Sequence, residues 1–106
     1  MAKYLFTTTY THEGLQGLLK DGGSGRVDAA RKTAESVGGH LDAMYFSFGE
    51  HDVYVICELP DNKAAAAVSL AVGASGGANS KTVVLLTPEE IDQAAHATVD
   101  FRAPGA

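Results

Sequence analysis

Residues 41–59, LDAMYFSFGEHDVYVICEL, decide the architecture. Two runs, Leu41 to Phe48 and Asp52 to Leu59, flank Gly49-Glu50-His51 and are rich in aromatic and β-branched side chains. Such runs suit strands, and a short glycine-containing connection between them suits a hairpin. Alternation places Met44, Phe46 and Phe48 on one face of the first strand and Leu41, Ala43 and Tyr45 on the other. In the second strand Val53, Val55 and Cys57 oppose Tyr54 and Ile56. Both faces of the hairpin are therefore apolar. Helices of the same chain can cover one of them; the other needs a different cover, because monomers rarely leave a large apolar patch in water.

Upstream, Lys3 to Thr11 reads as a strand with Tyr4, Phe6, Thr8 and Tyr10 on one face and Leu5, Thr7 and Thr9 on the other. Thr11 suits the N-cap of a short helical turn through Leu15, Leu18 and Leu19, which Asp21-Gly22-Gly23 should break. Ser24 can then cap a second helix carrying Val27, Ala30, Ala34 and Val37 at helical spacing, with Gly38-Gly39 as its stop. Downstream, Asp61 caps a helix with the stripe Ala64, Ala67, Val68, Ala71 and Val72, ended by Ser75-Gly76-Gly77. Lys81 to Leu86 is the last strand. Thr87 and Glu90 stand at capping-box spacing around Pro88, predicting a helix to about Ala97 and then a loose tail over residues 98–106.

Strand, helices, strand, strand, helix, strand is the split βαβ order. The expectation is one α+β domain over residues 1–106, a ferredoxin-like βαββαβ sandwich with an extra C-terminal helix. Its main helices lie on one face of the sheet. A second copy of the chain, joined face to face about a two-fold axis, is the economical cover for the other face and gives the dimeric α/β-barrel arrangement. Assembly into larger rings or cargo-like complexes is a third possibility, which the acidic surface permits but does not require.

Bulk properties narrow the function classes. A net charge of −5 with eight scattered Lys and Arg residues speaks against nucleic acid, which is bound by clustered cations. Met1 to Tyr10 lacks the charged start and apolar core of a signal peptide, and the alanine-rich stretch around Ala64 is too short to span a membrane. A cytoplasmic protein without membrane contact is the expectation. Cys57, the single cysteine, lies in an apolar run and reads as a buried small hydrophobe rather than a reactive thiol. Gly22-Gly23-Ser24-Gly25 precedes a helix but lacks the Lys-Ser/Thr ending of a phosphate-binding loop.

At Phe46 to Val53, FSFGEHDV, the chain resembles the GYD-domain family of small bacterial proteins. Supporting stretches run nearly end to end: KYLFTTTYTHEGLQGLLKDGG, AESVGGHLDAMYFSFGEHDVYVI, PDNKAAAAVSLAVGASG and TVVLLTPEEID. The family motif is glycine, a variable residue, tyrosine and aspartate, which falls here on Gly49, Glu50, His51 and Asp52, with histidine in the tyrosine place. The resemblance implies the dimeric α/β-barrel group, which includes monooxygenases, isomerases and haem-handling enzymes as well as non-catalytic members. The GYD family itself carries no established activity.

Ionisable and aromatic residues concentrate at the hairpin. His51 beside Glu50 and Asp52 has the make-up of a general base or metal ligand, with Asp52 as its partner. A simpler role sets Asp52 to fixing the turn through backbone hydrogen bonds and His51 to capping the barrel end. Tyr10, Tyr45 and Tyr54, with Glu50, are the candidate contacts for a small organic ligand. His12, His40 and His96 show no zinc-type spacing, so neither a metal nor a cofactor is expected. The leading reading is a dimeric module that binds a small organic molecule in the sheet–helix cleft. The runner-up is a small cofactor-free oxygenase or isomerase with His51 as acid/base and Tyr45 or Tyr54 orienting substrate.

Overall fold

The computed structural model describes residues 1–106. Its elements are β1 (Ala2–Tyr10), α1 (His12–Ser36), β2 (His40–Phe46), β3 (Val53–Leu59), α2 (Asn62–Ala74), β4 (Ala78–Leu85) and α3 (Pro88–Ala95). The four strands form one antiparallel sheet in the order β2-β3-β1-β4. This is the ferredoxin-like α+β arrangement expected from the order of elements.

Local chemistry sets most boundaries. The Thr11 hydroxyl accepts the Gly14 N–H at the start of α1, and the Asp61 carboxylate accepts the Ala64 N–H at the start of α2. Thr87 and Glu90 close a reciprocal capping box on α3, with Pro88 in the first turn. At Gly22 the expected break is present: φ 73° and ψ 167° are not helical, a conformation open to glycine, and α1 is two helices joined across that kink. The second helix follows directly on Gly22, close to the expected start at Ser24. β4 begins at Ala78, three residues before the expected Lys81, because β1 pairs with it as far as Tyr10↔Ala78.

Two side-chain assignments change. Leu41 pairs with Cys57 and Ala43 with Ile56, so Asp42 is an extra residue in β2, a bulge that shifts the alternation. Leu41 thus joins Met44 and Phe46 on the helix side, instead of opposing them, while Ala43 and Tyr45 face away. In α2 the inward residues are Ala64, Ala65, Val68 and Val72; Ala67 and Ala71 are exposed. The helix lies about one position rotated from the expected stripe, which seats the buried Ala65 against the core.

The core lies between the sheet and α1 and α2. Tyr4, Phe6, Ala34, Cys57, Leu59 and Ala65 form its centre, and the buried Tyr4 hydroxyl donates to Asn62 Oδ1 at 2.6 Å. Only eight of 106 residues are buried, a small interior for this length. Beyond β4 every residue from Pro88 to Ala106 is exposed, Ile91, Val99 and Phe101 included. This arm lengthens the molecule: the radius of gyration is 16.8 Å, against about 13 Å for a compact domain of similar length.

Gly39 is where β2 enters the sheet, and a β-carbon there would stand 2.2 Å from the Glu58 carbonyl oxygen. Gly39→Ala should therefore force β2 and β3 apart locally and destabilise the fold by about 1–3 kcal/mol, read as a lowered urea midpoint.

Candidate functional site

The two faces of the sheet offer different surfaces. On the helix side, α1 lies over β2 and α2 over β4, so the middle strands β1 and β3 are left under a cleft between the helices. The cleft has a volume of about 120 Å³. Phe6, Val55 and Cys57 line it from the sheet, Ala30 and Ala34 from α1, and Val68 and Val72 from α2. Polar groups are few. Thr8 and Ser80 approach each other across the strands at 3.4 Å between hydroxyl oxygens, and Tyr10, Arg26 and Thr33 complete the lining. Those last three residues also line a broader recess of about 820 Å³ with Glu13, Asp21 and Ser75, so the cleft has a polar mouth. Arg26 stands 3.5 Å from Asp21 there.

Cys57 is buried in the cleft floor, and the loss of solvent pushes its thiol up to about 11. It therefore stays a neutral, weakly polar contact at physiological pH, as its apolar surroundings in the sequence suggest.

The open face is organised by strand register. Ala43, Ile56, Leu5 and Val83 stand opposite one another in turn and make an apolar row across all four strands. On one side of it runs the row Tyr45, Tyr54, Thr7 and Lys81; on the other run His40, Glu58, Lys3 and Leu85. Tyr45 is 71% exposed, so nothing in its own chain covers that corner.

The hairpin residues divide between roles and faces. Asp52 is taken up by the backbone: its carboxylate accepts the Tyr10 N–H at 2.9 Å, its own N–H donates to the Thr8 carbonyl, and its carbonyl accepts the Ser47 N–H. The connection spans 47–52, longer than the three residues the sequence suggests, and Asp52 ties its end to β1. His51 turns to the open face, where its ring meets Tyr54 edge-on at 5.9 Å and Nδ1 lies 3.4 Å from the Thr9 hydroxyl. His51 and Asp52 thus hold different partners and form no dyad. Glu50 and Tyr45 are exposed, and of the candidate ligand contacts Tyr10 alone lines the cleft.

Residues 4–95 match the family model described as GYD domain. The chain belongs to the GYD domain family. No curated protein and no solved structure matches it. In this GYD domain Asp52 closes the hairpin, and His51 lies on the face away from the helices. No helix is long and apolar enough to cross a membrane.

One group of side chains escaped the spacing argument. His40 Nε2 lies 2.8 Å from Glu58 Oε2 and 3.2 Å from Asp42 Oδ1, while Lys3 Nζ holds Asp42 Oδ2 at 2.5 Å. The carboxylate beside it raises the Lys3 pKa, chiefly through that hydrogen bond. The available signal was the alternation His40-Leu41-Asp42, which puts two polar side chains on one strand face. Glu58 joins them only through the β2–β3 register, which local spacing does not reveal.

The backbone role of Asp52 predicts that Asp52→Ala leaves the Tyr10 N–H without its partner and lowers stability by about 1–2 kcal/mol. Asp52→Asn, which keeps an acceptor oxygen, should lose less in the same denaturant titration.

Proposed function

We propose that this GYD domain is a homodimeric module that receives a small, mainly apolar organic molecule in the cleft between α1, α2 and the sheet. The observation that carries the reading is the cleft itself: a mostly apolar lining with a few hydroxyls, and Tyr10, Arg26 and Thr33 where it meets the outer recess. Ligand sites commonly have this division, in which apolar contact supplies affinity and a few polar groups supply orientation. A volume of about 120 Å³ is close to the roughly 150 Å³ of an apolar cavity that admits benzene, so a single ring or short branched chain fits the enclosed part. A nucleotide or a fused cofactor does not.

The dimer half of the proposal rests on the other face. The row Ala43–Ile56–Leu5–Val83 crosses the entire sheet, with two tyrosines beside it. With so few residues buried in one chain, covering this row stabilises the fold as well as the assembly, at about 25 cal/mol per Å² of apolar surface removed from water. A two-fold axis lets the row meet its own copy. The cleft then stays on the outside of each subunit, free to take a ligand.

Two variants separate these parts. Ala30→Leu places a larger side chain in the cleft wall and should abolish the chemical-shift changes that dissolved phenol produces at Val55 and Val72; undiminished changes would remove the cleft as the site. Ile56→Lys puts a charge in the middle of the apolar row and should convert a sedimenting dimer into a folded monomer. A parent chain that already sediments as a monomer at high concentration would contradict the dimer.

A further inference from the structure

We propose that His40, Asp42 and Glu58 form a binding site for a first-row divalent transition-metal cation on the open face of the sheet. The three residues come from two adjacent strands. His40 and Glu58 are register partners, and Asp42 is the extra residue of the β2 bulge. Each offers one donor atom, and all three donor atoms lie within 4.8 Å of one another.

The spacing suits one cation. Two donor atoms each about 2.1 Å from a metal stand about 3.0 Å apart at right angles and about 3.4 Å apart at the tetrahedral angle. The observed separations from His40 Nε2, 2.8 Å to Glu58 and 3.2 Å to Asp42, bracket the right-angle value. The imidazole therefore stands between two carboxylate oxygens at separations that hydrogen bonds explain without a metal and that a shared metal can adopt with a small adjustment. A modest rotation of the two acidic side chains, which are only part-covered, brings the third spacing into line.

The two oxygens of Asp42 have separate tasks. Oδ2 is held by Lys3, and Oδ1 faces His40. A cation on Oδ1 does not require Lys3 to leave. The ammonium is then an outer partner that fixes the carboxylate, as hydrogen-bonded neighbours of metal ligands commonly do. Lys3 also offsets one carboxylate charge, so with a neutral imidazole the cluster carries one net negative charge before a dication binds. One nitrogen and two oxygens favour Zn²⁺ or its first-row neighbours over Mg²⁺ and Ca²⁺, which take oxygen ligands. Three protein ligands at the β2 edge of the sheet, beside the apolar row and not in it, leave coordination positions for water or for an anionic group of a second molecule.

Calorimetric titration of the full chain with Zn²⁺ alone near pH 7 tests the assignment. The expected result is one cation per chain, with affinity lowered at least tenfold in His40→Ala and in Glu58→Gln, and little changed in His96→Ala. Mg²⁺ should not compete at comparable concentration. Since His40 is exposed and Glu58→Gln keeps the shape of its half-buried side chain, the variants should keep the parent thermal midpoint without metal, which separates lost ligation from lost folding. No heat of binding, or equal affinity in His40→Ala and the parent, would overturn the site and leave the cluster as an ion-pair network between β1, β2 and β3.

Discussion

β1 is hydrogen-bonded along both edges, to β3 and to β4, and its alternation divides the molecule. Tyr4, Phe6, Thr8 and Tyr10 point to the helices, where the first two are core and the last two reach the cleft. Lys3, Leu5, Thr7 and Thr9 belong to the opposite face. Because side chains repeat every two residues, a one-residue slip of either neighbour against β1 would turn that neighbour's inward side chains to the open face. The hydrogen bonds from the end of the hairpin to the end of β1 hold that register. Asp52 makes both, through its carboxylate to Tyr10 and its N–H to Thr8.

The bulge in β2 is the second constraint. It absorbs one residue, so that Leu41, Met44 and Phe46 all face inward although they break strict alternation. The same irregularity leaves Asp42 unpaired and beside Lys3 and His40. Packing on one face and a charged cluster on the other therefore share a single local cause. Gly39, pressed against the Glu58 carbonyl, allows β2 to approach β3 closely enough for that cluster to form.

The ferredoxin-like order was legible in the sequence because each element carries a local signal: alternating aromatics in β1, Asp61 and Thr87 as caps, glycines after α1 and α2. The apolar second face of the hairpin was legible for the same reason. What local spacing could not reveal was register. The bulge reassigns Leu41, and the α2 stripe rotates to bury Ala65, since tertiary contacts decide which alanine meets the sheet. The site was less legible than the fold. The motif residues drew attention to His51 and Asp52, which hold separate partners, whereas His40 and Glu58 stand eighteen positions apart and meet only by strand pairing. The cleft was anticipated as a place, but of its lining only Tyr10 was named as a candidate contact.

The central claim is that the two faces have opposite fates, one covered by a second copy and the other open to a ligand. Methyl relaxation with a soluble paramagnetic probe tests it directly, comparing Ile56 and Val83 with Leu70, an exposed α2 residue outside both surfaces, at low and high protein concentration. The account predicts that Ile56 and Val83 become protected as concentration rises while Leu70 stays accessible. Equal access to Ile56 and Val83 at both concentrations would contradict it, because the apolar row would then stand bare in water.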